Sequence, residues 1–345
     1  MLVLTNCPRF PENWKSETGL QGQALVLHRW WEFARHARRA DVVLINCDAA
    51  LTFQLCALFR LLPFLRRPMV VHDLILREPR TLRHRATAPL KRFLLARVEH
   101  FIHHFRDLDG YRKYFGVGPE RSSFTPSKPN FRYRQTYKVG PDGDYVLCFG
   151  RSERDYDTFF EAMERLPYPA LIPPPDFKKL RQHGARFRRP LSELPSNVRI
   201  AEDDGSQAAI IRMIEGARLV VMPILGSRIG PSGTGTYLNA MLLGKCVISS
   251  QGVCTSDVFT DEALLVPPEN PEALSRMIRR AWEDRELRER TALAGQRYAE
   301  ECGGEADVHR RLFENAMRWY VATPRGQAAL ATATFPPDRT EHAQS

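Results

Sequence analysis

Residues 145–166 read YVLCFGRSERDYDTFFEAMERL. The opening residues form an apolar run of the kind that builds a buried strand, and the segment after Asp155 sets Phe159, Phe160, Met163 and Leu166 along one side of a helix. Between strand and helix stand Gly150, Arg151 and Arg154. A glycine at the end of a strand lets an anion approach the backbone, and two arginines three apart can neutralise it there. Open α/β sheets bind their ligands at this carboxyl end. The stretch therefore predicts a strand, an anion-binding turn and a helix, with the arginines as a pyrophosphate clamp. A structural alternative stays open, in which one arginine is a surface residue and the other pairs with Asp155 or Asp157.

Residues 219–249, LVVMPILGSRIGPSGTGTYLNAMLLGKCVIS, pose the same question differently. A strand runs into a loop containing Gly226, Gly230, Gly233 and Gly235, and the loop opens directly onto a helix. Backbone N–H groups and the positive end of the helix dipole can then both face a phosphate. A second strand at Cys246–Ile248 completes a phosphate-cradling βαβ unit, although the spacing is neither Walker A nor G-x-G-x-x-G.

Outward from these stretches, short β-rich runs alternate with helix-period segments, the pattern of parallel sheets covered by helices. Strands are expected at Leu2–Leu4, Val42–Ile45, Met69–Val71 and Phe101–His103, with helices at Ala24–Arg35 and Ala49–Leu61. Further strands are expected at Tyr145–Phe149, Ala170–Ile172, Val198–Ile200, Leu219–Met222, Cys246–Ile248 and Leu264–Val266, with helices near Asp157–Leu166, Gln207–Glu215 and Thr236–Leu243. Residues 124–144, FTPSKPNFRYRQTYKVGPDGD, have no sustained period and read as a linker and hinge with the boundary near Pro129. The expected architecture is α/β: an N-terminal doubly wound domain over 1–130, a second one with terminal helices over 131–321, and a disordered tail from 322.

A chain of 345 residues with 43% hydrophobic and 26% charged residues suits two soluble globular domains. The seven scattered cysteines are no disulfide framework and fit a reducing, cytoplasmic setting. The most apolar stretch, Leu51–Leu65, is broken by Arg60 and Pro63, so no membrane span is expected. Charge is uneven: residues 1–130 hold 21 Lys+Arg against 11 Asp+Glu, while the remainder is balanced. That half calls for an anionic partner. Runs such as KRFLLARVEHF (91–101) suit a peripheral contact with acidic lipid headgroups, with a solvated basic face as the alternative. Nucleic acid is disfavoured, because no known binding module or interleaved aromatic platform is present. His103-His104 lacks partners at ligand spacing, so no metal is expected. Trp30 and Trp31 read as core or interface ahead of a sugar platform.

The two quoted stretches, their order, and SDVFTDEALLVPPENPEALSRMIRRAWEDRELRERTALAGQRYA (256–299) resemble the donor-binding half of family 4 glycosyltransferases, which are GT-B enzymes. MVVHDLIL (69–76) resembles the family's strand-end histidine motif. The resemblance implies two Rossmann-like domains facing a cleft and a nucleoside diphosphate sugar donor. It further implies retention of anomeric configuration and no cofactor or metal, while the basic amphipathic helices of the first half suggest a lipid-linked or membrane-proximal glycan, or another hydroxyl, as acceptor. By position, Gly150, Arg151, Arg154, Gly233, Thr234, Gly235, Thr236 and Asn239 would contact the donor, and His72 with Asp73 would sit near the transferred sugar. The family's two motif glutamates fall on Pro231 and Asn239. The Asn239 amide could still serve a ribose hydroxyl, being both donor and acceptor, but position 231 offers no acid. That departure motivates a rival reading as a non-catalytic protein that binds sugar nucleotides.

Overall fold

The computed structural model describes residues 1–131, 143–202, 204–226 and 229–334. In chain order the elements are β1 (Leu2–Thr5), β2 (Asn13–Lys15), β3 (Gln21–Val26), α1 (Trp30–His36), β4 (Val42–Asn46), α2 (Ala49–Leu61), β5 (Met69–His72), α3 (Leu82–Leu95), β6 (His100–His103), α4 (Asp109–Phe115) and β7 (Ser122–Phe124). They continue with β8 (Tyr145–Cys148), α5 (Tyr156–Met163), β9 (Ala170–Ile172), α6 (Phe177–Gln182), β10 (Val198–Ile200), α7 (Gln207–Glu215), β11 (Ala217–Met222), α8 (Thr234–Leu242), β12 (Cys246–Ser250) and β13 (Leu264–Val266). Four helices close the described chain: α9 (Pro271–Glu283), α10 (Arg285–Cys302), α11 (Glu305–Val321) and α12 (Pro324–Thr334). Among the described residues, no helix is long and apolar enough to cross a membrane.

Two units emerge. The first comprises Met1–His103, Leu108–Thr125 and His309–Ser345; the second comprises His104–Asp107 and Pro126–Val308. In the first, a sheet of order β2-β3-β1-β4-β5-β6-β7 is parallel except for the β2–β3 hairpin. The central strands are buried on both sides, so their sequences read as continuous apolar runs. Successive right-handed crossovers from β4 to β7 place α2, α3 and α4 on one face of the sheet, and the β3-to-β4 crossover places α1 there too. The other face presents Val3, Val42, Leu44, Val70 and Ile102 to Leu312, Phe313, Ala316, Met317 and Tyr320 of α11.

The second unit is a wholly parallel sheet of order β10-β9-β8-β11-β12-β13. Order reverses at β8 and β11, the neighbouring strands that lead into the two loops quoted above. That switch point is where an open α/β sheet receives a ligand.

Three expectations change. The helix expected over Ala24–Arg35 is in part a strand, because Gln21–Val26 pairs parallel with β1. The helix begins only at Trp30, where the Glu32 carboxylate accepts the His28 and Arg29 N–H groups at 2.9 and 2.8 Å. The terminal helices do not all stay with the second domain: from His309 onward the chain belongs to the first unit. Its anchor is polar as well as apolar, since buried Glu314 accepts from the Ser16 hydroxyl at 2.7 Å and from the Glu17 N–H at 3.1 Å. The segment expected to be a disordered tail instead forms α12 over Pro324–Thr334, and residues 335–345 lie outside the described residues. Most of the linker core, 132–142, also lies outside them.

Candidate functional site

β8 delivers Cys148 and Phe149 buried, and the chain then turns at Gly150 with φ +107°. A β-carbon here would lie 2.4 Å from Nη2 of Arg154 and 3.0 Å from Oγ1 of Thr236, so only glycine keeps the turn. Arg154 is fully buried. It is held by a bridge to Ile224 and by its carbonyl, which accepts the Arg186 N–H at 2.8 Å. Its guanidinium has one long contact, Nη2 to Thr236 Oγ1 at 3.5 Å, while Nε and Nη1 have no hydrogen-bond partner among the described residues. Burial lowers its pKa, yet a guanidinium stays charged at neutral pH.

The neighbouring acids do not neutralise it. Asp155 caps α5 through Thr158 N–H at 3.2 Å, and the Arg186 guanidinium grips it at both oxygens. Asp157 is taken by Arg188 at 2.6 Å. Pairing of Arg154 with either acid, the structural alternative in the sequence, is therefore excluded. A buried charge without a counter-ion costs several kcal/mol. The group that would remove this cost is an anion bound beside Gly150. Arg151 is exposed on the same turn, without an ion pair among the described residues.

The glycine loop approaches the same guanidinium. Gly233, at φ +77°, caps α8, and a β-carbon on it would meet Met222 Cε at 2.6 Å and Arg154 Nη2 at 3.4 Å. Thr234, Gly235 and Thr236 form the first turn of α8, whose early N–H groups lack helical carbonyls and favour an anion. Gly150, Arg154, Gly233 and Thr236 are thus brought together. Asn239 is placed differently: it is buried in the second turn of α8, and its side-chain Oδ1 accepts the Asn130 backbone N–H at 2.8 Å rather than standing open to a ribose.

Sequence reasoning missed what fixes this helix end. Tyr237 Oη lies 3.2 Å from Cys254 Sγ, and that thiol reaches the His104 carbonyl at 3.2 Å. Asp257 Oδ2 accepts the Arg106 and Asp107 N–H groups at 2.6 and 2.9 Å, which binds the His104–Asp107 segment into this unit. Partners 150 residues apart leave no local signal.

In the first unit, His72 ends β5 and is buried, with Nδ1 2.7 Å from Asn46 Oδ1 at the end of β4. Asn46 and Asn6 exchange backbone and amide hydrogen bonds at 2.7 and 3.0 Å, which fixes that partner. Asp73 follows at φ +48°, with Cys47 Sγ 3.6 Å from its Oδ2. Partial desolvation and the Asp73 charge raise the pKa of the Cys47 thiol, which disfavours the thiolate. His103 is buried between Phe101, stacked at 5.8 Å, and Tyr111, edge-on at 5.5 Å. Trp30 and Trp31 are exposed, so the core option for this pair is excluded.

Residues 192–298 match the model of the family described as "Glycosyl transferases group 1". No curated protein matches the chain. Among solved structures, it is similar to Anabaena Alr3699/HepE in complex with UDP and glucose, at TM-score 0.60 and 16% identity over 83% of this chain and 80% of that one. It is also similar to sucrose-phosphate synthase from Thermosynechococcus elongatus, at 0.59 and 16% over 94% and 89%. An α,α-trehalose-phosphate synthase from Burkholderia xenovorans aligns at 0.55 and 12% over 83% and 76%. At these identities the structural likeness carries the fold, and the family match carries the class. The chain is a GT-B-fold glycosyltransferase whose second unit bears the glycosyl transferases group 1 segment.

Proposed function

We propose that the second unit binds a nucleoside diphosphate sugar through its diphosphate, and that the chain transfers the sugar to a hydroxyl acceptor with retention and without a metal ion. The observation that carries this reading is the buried guanidinium of Arg154, which has no counter-ion among the described residues and faces Gly150, Gly233 and Thr236. A diphosphate supplies the missing charge and matches the fork of donors. In the reaction the anomeric carbon–oxygen bond breaks and its electron pair passes to the departing β-phosphate oxygen. Arg154, Arg151 and the first-turn N–H groups of α8 stabilise that charge, and this is the main catalytic contribution. The acceptor oxygen bonds to the anomeric carbon, and its proton passes to the departing phosphate oxygen, since Pro231 offers no carboxylate to take it. Because HepE is seen with UDP and UDP-glucose, uridine donors stand first. A lipid-linked acceptor on the cytoplasmic side of a membrane suits the basic first unit best.

A second reading, a non-catalytic sugar-nucleotide binder, draws on Asn239, whose side-chain Oδ1 is committed to the Asn130 backbone N–H. A panel of UDP-, GDP-, ADP- and CMP-sugars separates the two, scored by thermal shift and by nucleotide release. The transferase predicts stabilisation with slow release by one base class, both weakened about tenfold or more in Arg151→Ala. Stabilisation with no turnover toward any acceptor selects the binder, and no stabilisation by any donor overturns both.

A further inference from the structure

Helix α3 turns its apolar side outward. Its buried residues are only Ala88 and Leu95, whereas Leu82 is 85% exposed and Leu90 and Phe93 are each more than half exposed. Residues 82, 86, 90 and 93 follow helical spacing and form one outward stripe. The turn that ends α2 behaves alike, with Leu61 80% exposed and Phe64 more than half exposed. Arginines lie on the exposed rings: the Arg38 guanidinium is 4.9 Å from the Phe64 centroid, and that of Arg60 is 3.5 Å from the Phe93 centroid. Arg60 also donates to the Phe93 carbonyl, which joins α2 to α3. At the start of α1, Arg29 lies 4.9 Å over the exposed ring of Trp31. The acids nearby are engaged: Glu32 accepts from the backbone that begins α1, and Glu99 holds Arg66 at 2.8 Å and the Met69 N–H at 2.8 Å. Helix α1 packs on α2 and α2 on α3, so these features lie on adjoining helices of the first unit.

Exposed apolar groups of this extent are costly in water unless something covers them. Three aromatic rings with a cation on each, set among protruding leucines, match an anionic lipid surface: the side chains enter the acyl boundary while the guanidinium groups meet headgroup phosphates. Naked nucleic acid would leave the leucines and phenylalanines without apolar partners. A second copy would set arginine against arginine. We propose that this face of the first unit is a docking surface for an anionic bilayer. The proposal stands apart from the donor site, which lies in the second unit.

The test is flotation of the full chain with phosphatidylcholine vesicles, with or without about 30% phosphatidylglycerol, at about 0.05 M and 0.5 M salt. Binding is expected only to the anionic vesicles and is expected to weaken in high salt. Leu90→Ser with Phe93→Ser, both exposed and so compatible with an unchanged melting temperature, should lower partitioning about tenfold or more. Arg38→Gln with Arg60→Gln should lower it and flatten the salt dependence. Arg154→Met should float like the wild type, which separates this result from any failure at the donor site. No binding at low salt, equal binding to neutral vesicles, unchanged binding by the Ser variant, or a dimer or nucleic-acid complex that the Ser variant abolishes would each overturn the proposal.

Discussion

A guanidinium with no counter-ion inside a protein is tolerated when a ligand completes it. Arg154 could be left unpaired only because Asp155 and Asp157 are each claimed by another arginine, Arg186 and Arg188. The pairing is legible in part: RSERDYD displays two cations and two acids, but not that the acids' partners lie 31 residues downstream. Gly150 and Gly233 were readable because glycine at a strand end or helix start has few other uses. Asn239 was not, since its partner Asn130 is 109 residues away. His100 offers a separate test at this scale. Burial lowers its pKa from 6.5 to about 4, so it is neutral in the fold, stacked on Trp319 and 2.9 Å from Ser123 Oγ. Between those values the unfolded chain binds more protons than the native one. Stability should therefore fall as pH drops from about 6.5 toward 4, by on the order of 2–3 kcal/mol. Urea melts of wild type and His100→Gln across that range should show a shallower pH slope in the variant; equal slopes would refute the assignment.

Within elements, helix α8 is the one whose start matters most. Gly233 needs a left-handed backbone and lies against the buried Met222 side chain, so Gly233→Ala should cost about 1–3 kcal/mol and weaken donor binding as well. Gly235 differs: its β-carbon would first meet the amide end of the exposed Asn130 side chain, which can move aside. Gly235→Ala should keep the melting temperature within a few degrees. Thermal melts of both variants check the order, and a reversal would mean the loop is not held as described. Strands β4, β5, β11 and β12 were legible because runs of Val, Ile and Leu are bounded by polar turns. β3 was missed for a physical reason: QALV is too short and its alternation too weak to declare a strand without β1 beside it. The helix signal of Trp30–His36 then spread across it.

For the whole molecule, the sequence conveyed two doubly wound units but misassigned the end of the chain. Nothing local in VHRRLFENAMRWY says which sheet its apolar side will cover. The first sheet was the one with a bare face, and Leu312, Phe313 and Met317 fill it. Removing residues 309–345 should therefore disrupt the first unit and leave the second unit's sheet protected. Hydrogen exchange should show rapid loss across β1, β4 and β5, and unchanged protection there would contradict the assignment. The central claim is that the second unit is completed by the anionic diphosphate of a sugar donor, and the melting temperature of Arg154→Met with and without UDP-glucose tests it most directly. The account predicts that the free variant melts no lower than the wild type, because an unpaired buried charge has been removed, and that the donor-induced shift disappears. A variant that melts well below the wild type yet keeps its full donor shift would contradict it.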